Sequence, residues 1–231
     1  ADLVLAFAGV VTEHTGTVTI TNAPTVAELK EINAESTGAI TLATANGALS
    51  GSAADLVLAF AGDVTEHTGT VTITDAPTVA ELKEINSETT GAITLAVTNG
   101  ALSGSAADLV LAFAGVVTEH TGTVAITNTH NLAQLAEINS ETTGTLTLAD
   151  YTVALTGSAA NVSAALDGTF AEDYTGAVSL SDAPTVAELK DINAGTTGAI
   201  TLQITNGALS GSAADLVLAF AGVVTEHTGT V

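Results

Sequence analysis

Residues Thr17-Val18-Thr19-Ile20-Thr21 alternate polar and apolar with β-branched side chains throughout. The period of two predicts a half-buried strand with Val18 and Ile20 turned inward. Pro24 ends it, and Thr25-Val26-Ala27-Glu28 reads as a capping box that opens a helix. Behind it Val26, Leu29 and Ile32 recur at helical spacing, while Glu28, Lys30 and Glu31 face water. Asn33 to Gly38 forms the exit turn. Ala39-Ile40-Thr41-Leu42-Ala43 predicts a second strand, with Ile40 and Leu42 inward. Asn46-Gly47 marks a turn or corner, and Ala48-Leu49-Ser50 is a short extended piece. The same slot later reads Tyr151-Thr152-Val153, which favours a bend over a tight hairpin. Ser52-Ala53-Ala54-Asp55 opens another helix, Leu56 to Ala61, closed by Gly62.

This order of strand, helix, strand, bend and helix is written four times. Ala1, Ala54, Ala107, Ala160 and Ala214 each open a copy, at spacings of 53, 53, 53 and 54. The repeat units are 1–53, 54–106, 107–159 and 160–213, with a partial unit 214–231. The stretch at 1–18 returns unchanged at 107–124 and at 214–231. Self-similarity at a fixed period signals an array in which each repeat contacts its neighbours. Within a unit the Thr-Gly marks at 15–16, 37–38 and 68–69 lie 22 and 31 residues apart, so each unit makes two unequal coils. Strand–helix coils of this length imply parallel strands with crossover helices. The expected fold is therefore α/β: a single elongated solenoid array over 1–231, two coils per 53-residue unit, on a parallel β-sheet. Strands stack at roughly 4.8 Å, so two coils advance about 9.6 Å. Packed helices want roughly 8–10 Å between axes. Helices on one side would force curvature. Helices on both sides would fit a straight rod but conflict with the right-handed crossover rule. The sequence leaves both arrangements open.

Composition narrows the function. Three Lys, no Arg and 25 Asp plus Glu give a net charge of −22. Nucleic acid is then an unsuitable partner, since its binding rests on cations at phosphates, and an anionic membrane surface is equally unsuitable. Self-repulsion predicts stabilisation by salt. Hydrophobic residues are 46 % and aromatics 3 %, so the core is aliphatic. The absence of Cys rules out disulfides, thiolate metal sites and Cys nucleophiles. The longest apolar run, Leu3 to Val11 broken only by Gly9, is too short for membrane insertion. The chain has no Met, begins inside a helix phrase without its Ser cap, and ends at Val231 inside a strand phrase. The expectation is a fragment or processed product whose array continues, in a parent polypeptide or by stacking of subunits.

The phrases TVAELKEIN, TTGAITL and ALSGSAADL resemble repeats of very large secreted or cell-surface proteins of aquatic bacteria, cyanobacteria among them. That resemblance implies an extracellular or cell-surface location and a structural role in a coat, fibre, adhesion stalk or filament. Such proteins often carry calcium-binding nonapeptides, but no G-G-x-G-x-D occurs here, and the L-x-x-L-x-L-x-x-N pattern of leucine-rich repeats is not matched.

Candidate chemistry is sparse. His14, His67, His120 and His227 share the phrase Thr-Glu-His-Thr-Gly. Neighbouring copies sit about 9.6 Å apart, too far to share one ion at about 2 Å each. Tyr174 fills the fourth slot and is a poor zinc ligand, so these His read as exposed or half-packed turn residues. Carboxylates recur in columns, Glu31, Glu84, Glu137, Asp191 and Glu35, Glu88, Glu141. They read as a solvated acidic face with at most weak, non-specific calcium binding and no dedicated cofactor. No P-loop, G-x-S-x-G or H-E-x-x-H motif is present, and a repeated array argues against an enzyme. Outward strand positions read Thr19, Thr41, Thr72, Thr94, Ala125, Thr147, Ser179 and Thr201. This hydroxyl row makes an ice- or surface-polymer-binding module the alternative reading, although Thr is also a good strand residue.

The sharpest anomaly is in the second helix of each unit. The fourth copy reads Val162-Ser163-Ala164-Ala165-Leu166-Asp167, which assigns Val162, Ala165 and Leu166 inward. By alignment Leu56, Ala59 and Phe60 point inward, and an outward Val-Leu pair recurs at Val4 and Leu5, Val57 and Leu58, Val110 and Leu111, Val217 and Leu218. A periodic apolar stripe marks an interaction surface. These eight residues are the candidate interface, with copies of the chain or flanking repeats as partners.

Overall fold

The computed structural model describes residues 2–7 and 13–231. In chain order the elements are α1 (Asp2–Phe7), β1 (Val18–Ile20), α2 (Val26–Ala34), β2 (Ile40–Leu42), β3 (Leu49–Gly51), α3 (Ala53–Phe60), β4 (Val71–Ile73), α4 (Val79–Ser87), β5 (Ile93–Leu95), β6 (Leu102–Gly104), α5 (Ala106–Phe113), β7 (Val124–Ile126), α6 (Leu132–Ser140), β8 (Leu146–Leu148), β9 (Leu155–Gly157), α7 (Ala159–Leu166), β10 (Val178–Leu180), α8 (Val186–Gly195), β11 (Ile200–Leu202) and α9 (Ala213–Ala219). The chain is α/β, with three-residue parallel strands alternating with helices in repeated units, and the described strands close no barrel. It forms two compact units: 1–102 with 111–120, and 103–110 with 121–231.

The local reading of the pattern holds. Val18 and Ile20 of β1 and Ile40 and Leu42 of β2 are buried, with Thr19 and Thr41 exposed between them. Thr25, Thr78 and Thr185 each accept a hydrogen bond from the amide of the Glu three residues on, and that Glu carboxylate accepts from the cap amide. Asn131 and Gln134 do the same in α6. Ser52, Ser158 and Ser212 cap α3, α7 and α9. Gly62, at φ +82°, lies just past the end of α3. Backbone there is left-handed, which glycine adopts without Cβ strain.

Consecutive helices pack on one another: α1, α2, α3 and α4 in the first compact unit, α6, α7, α8 and α9 in the second. The strand faces away from the helices stay exposed or half-exposed. Within each unit the helices therefore lie on the same side of their strands, and the apolar core sits between strands and helices.

The sheet differs from one continuous ladder. In the first compact unit β1 pairs with β2, and Ile40 of β2 also bridges Val64. The next ladder starts afresh: β3 pairs with β4, β4 with β5, and Ile93 bridges Val117. In the second, β7 pairs with β8, Leu146 bridges Phe170, β9–β10–β11 form a sheet, and Ile200 bridges Val224. One pass of backbone thus serves two ladders. Ile40 faces Val18 and Val64, whereas Leu49, nine residues on, faces Val71. The ladder steps sideways from one repeat to the next. A single layer of helices needs roughly 8–10 Å per helix, and strands supply about 4.8 Å each.

Candidate interaction surfaces

Burial in the second helix of each repeat follows the alignment drawn from the fourth copy. Leu56, Ala59 and Phe60 of α3 are buried, as are Val162, Ala165 and Leu166 of α7. On the outward face Leu58, Leu111 and Leu218 are 53–54 % exposed, and Leu5 is 72 % exposed. Val4, Val57 and Val110 are half-buried, while Val217 is exposed. Ser163 is half-buried and Ala164 exposed at the matching places in α7. In the first three pairs a half-covered Val thus stands beside an open Leu, and in the last both are open. Between these helices the first helices of the repeats expose Glu31, Glu84, Glu137 and Asp191. Within each compact unit the helical layer alternates apolar and acidic ridges. Beside Leu111 lies a shallow pocket of about 310 Å³, walled by Lys83, Glu84, Asn86, Ser87 and Ala114.

The ends of these helices are tied by side chains from neighbouring coils, which sequence reasoning misses. Asn33 of α2 donates through Nδ2 to the carbonyls of Leu58 (2.9 Å) and Ala61 at the end of α3. Asn86 repeats this on Leu111 (2.9 Å) and Ala114 (2.6 Å), Asn139 on Ala164 (2.8 Å), and Asn193 on Leu218 (2.7 Å). At the other end Asp75 Oδ1 accepts from the Ala53 amide (2.8 Å), Asn128 from Ala106 (2.8 Å) and Asp182 from Ala159 (2.8 Å). A signal exists in the sequence, since an Asn closes every AELKEIN-like phrase and an Asx follows each VTI-like strand. Each reads locally as an ordinary exit or turn residue. Leaving helix-end carbonyls unpaired is costly. Asn86→Ala is expected to lower unfolding free energy by about 1–2 kcal/mol, read from urea denaturation, whereas Ser87→Ala on the exposed side of the same turn should stay within about 0.5 kcal/mol.

The expectation of exposed or half-packed turn residues holds for His14 and His227 and is corrected at His67 and His120. His14 is exposed and His227 half-buried, but His67 and His120 are 2 % exposed. The turn phrase is a rung of the ladder: His67 bridges Thr89, which places its ring inside. His67 Nε2 lies 2.6 Å from the Gly47 carbonyl, and Nδ1 3.3 Å from Thr89 Oγ1. His120 Nε2 lies 2.7 Å from the Gly100 carbonyl, and His227 Nε2 2.6 Å from that of Gly207. A carbonyl only accepts, so Nε2 carries the proton. The Phe60 and His67 ring centroids are 5.8 Å apart. Burial lowers the pKa of His67 and His120, and the carbonyl contacts oppose this. Tyr174 performs the same task, its hydroxyl donating to the Val153 carbonyl at 2.6 Å. The phenol and imidazole are interchangeable because one N–H or O–H reaching one bend carbonyl is what the position requires.

Ion pairs cross between helices. Lys30 Nζ lies 2.5 Å from Asp55 and Lys190 Nζ 3.1 Å from Asp215. Hydrogen bonds from Lys30 and then Ser52 hold the Asp55 carboxyl below its usual range, as Ser212 and then Lys190 do for Asp215. Among the described residues no three His, Asp or Glu gather as a metal site, and no helix is long and apolar enough to cross a membrane. Among family models, curated proteins and solved structures, none matches this chain.

Proposed function

We propose that the chain is part of an extracellular or cell-surface structural array, a solenoid of strand–helix coils that assembles through its helical layer. The observation that carries this reading is the recurrence of an exposed Leu on α1, α3, α5 and α9. On α3, α5 and α9 the carbonyl of that Leu is held by an Asn of the preceding helix, so the ridge is rigid there. A periodic apolar ridge beside acidic ridges favours contact in one register, since like charges repel when acidic ridges meet. The pocket beside Leu111 has room for an apolar side chain from a facing ridge. Copies of the chain or flanking repeats are the proposed partners, with Val4, Leu5, Val57, Leu58, Val110, Leu111, Val217 and Leu218 as the contact residues. A scaffold of this kind needs no catalytic group.

The test converts each Val-Leu pair to Ser-Ala, as at Ser163 and Ala164. The expected result is unchanged circular dichroism and melting with loss of bundling in light scattering and electron microscopy. Unfolding of the variant, or unchanged assembly, would overturn the lateral contact.

A second reading has its own support. The open strand face carries aligned hydroxyls, Ser50–Thr72–Thr94 and Thr156–Ser179–Thr201, in parallel register. Ice binding through that face would appear as thermal hysteresis, and polymer binding as co-sedimentation with the polymer, and either would survive the Val-Leu changes.

A further inference from the structure

Three departures of the third and fourth copies from the repeat gather around one groove. His130 stands where Pro24, Pro77 and Pro184 stand elsewhere, Ala136 where Lys30 and Lys190 stand, and Asn161 where Asp55 and Asp215 stand. The ion pair that crosses the helices at Lys30 and at Lys190 thus has no counterpart between α6 and α7. In its place is an open groove of about 750 Å³, lined by His130, Ala136, Glu137, Ala154, Thr156 and Asn161 among others. α7 is also the helix that lacks the Val-Leu pair, so the groove is separate from the proposed lateral contact and does not depend on it.

His130 supplies a second, independent observation. It is 3 % exposed, and its Nδ1 is buried with no hydrogen-bond partner. Its tautomer follows from its neighbour. Tyr174 has one hydroxyl proton and donates it to the Val153 carbonyl at 2.6 Å. The 3.3 Å contact between His130 Nε2 and Tyr174 Oη therefore has the imidazole as donor. Nδ1 is left as a bare lone pair, an acceptor in want of a donor. Burial pushes the imidazole pKa down, against the pull of Asp150, so the ring does not neutralise the need by protonating.

We propose that this groove receives a lysine side chain from another polypeptide. At Lys30 and Lys190 the chain's own lysine stem and ammonium lie across the corresponding helix pair. Here the stem is cut back to Ala136, while the carboxylate of Glu137 remains beside the opening. An incoming ammonium finds the Asn161 amide at the place of the missing carboxylate and Glu137 for its charge, in a groove that His130 also lines. The chain's charge of −22 draws a cationic segment toward the site. The groove is larger than one lysine side chain, which leaves space for the backbone that presents it.

The test titrates the whole chain with acetyl-Gly-Lys-Gly-amide and, separately, with the same peptide acetylated at Nζ, following side-chain and backbone NMR shifts. The expected result is saturable shifts at His130, Ala136 and Asn161 with the free lysine, and at least tenfold weaker binding of the acetylated peptide. Ala136→Lys with Asn161→Asp rebuilds the ion pair of the other repeats. This variant should fold normally by circular dichroism and bind at least tenfold more weakly, because its own lysine fills the groove. His130→Pro, the residue of the other copies, should also weaken binding. No saturable shifts, equal binding of both peptides, or equal binding by the rebuilt variant would overturn the proposal; the last two would show diffuse attraction to an acidic surface.

Discussion

Replacing Gly91 with alanine is expected to destabilise the protein by at least about 2 kcal/mol, although the same change at an unconstrained site stabilises by about 0.4–1 kcal/mol. Gly91 has no left-handed backbone, so strain is not the reason. The reason is contact: a Cβ there would overlap the carbonyl oxygen of Gly69 in the preceding coil. Gly38 meets Gly16, Gly144 meets Gly122 and Gly198 meets Gly176 in the same way. The paired Thr-Gly marks in the sequence are thus places where two backbones touch, and the obstacle is main chain, which does not swing aside. A fall in melting midpoint of roughly 5 °C is expected for Gly91→Ala. Gly16→Ala is the control, since its Cβ would meet only the ring of the exposed His14 and should be tolerated. Equal melting of both variants would refute the contact argument.

Mild acid is expected to destabilise the fold before the hydrogen-bonded aspartates titrate. His67, His120 and His130 have folded-state pKa values depressed below the ordinary 6.5, chiefly by burial. Between the depressed value and 6.5 the unfolded chain binds more protons, so stability rises with pH there. The contribution of the neutral rings is complete above pH 6.5 and is lost as pH falls through the window below it. Asp55, Asp150 and Asp215 are depressed below their ordinary 3.8, so their contribution is lost only at lower pH, below 3.8. The two windows are separable. Melting temperature of the native chain should drop by several degrees between pH 7.5 and pH 5. His67→Gln with His120→Gln keeps an N–H for the Gly47 and Gly100 carbonyls and removes two titrating groups, so its curve should be flatter over the same range. Parallel curves for the two proteins would show that the rings do not titrate on unfolding.

Much of the local structure is legible in the sequence because the same pattern recurs. Thr25 and Glu28 announce a capping box that the structure contains, and Ser163 with Ala164 separates the outward from the inward face of a helix that is apolar all round elsewhere. What is not legible depends on partners far away in the chain. From Ile40 to Leu49 the sequence reads as strand, bend, strand whether the ladder runs on or steps, and only the pairing with Val64 and Val71 decides. His67, set among Thr, Glu and Gly, reads as a turn residue, because the Gly47 carbonyl and Phe60 ring that enclose it lie in other parts of the unit. Asn33 likewise reads as the exit of its own helix, whereas its side chain closes the end of α3, which begins only at Ala53.

The sideways step divides the chain into lengths that are fixed and lengths that are free to drift. Ile40 and Leu49, Ile93 and Leu102, and Leu146 and Leu155 are each nine residues apart, and every one of these six side chains is buried. Nine is odd, so the bend between the two strands must break the strand period of two to return the second Leu to the inner face, and the spacing of nine is kept each time. The interval after the step carries no such constraint. Leu49 to Val71 and Leu102 to Val124 span 22 residues, but Leu155 to Val178 spans 23, and Val178 still pairs with Leu155 as Val71 does with Leu49. The fourth copy's extra residue is thus absorbed where a helix and its exit loop stand between two strands. Natural variation in repeat length belongs in that interval, and an array of this kind can lengthen there without losing its register.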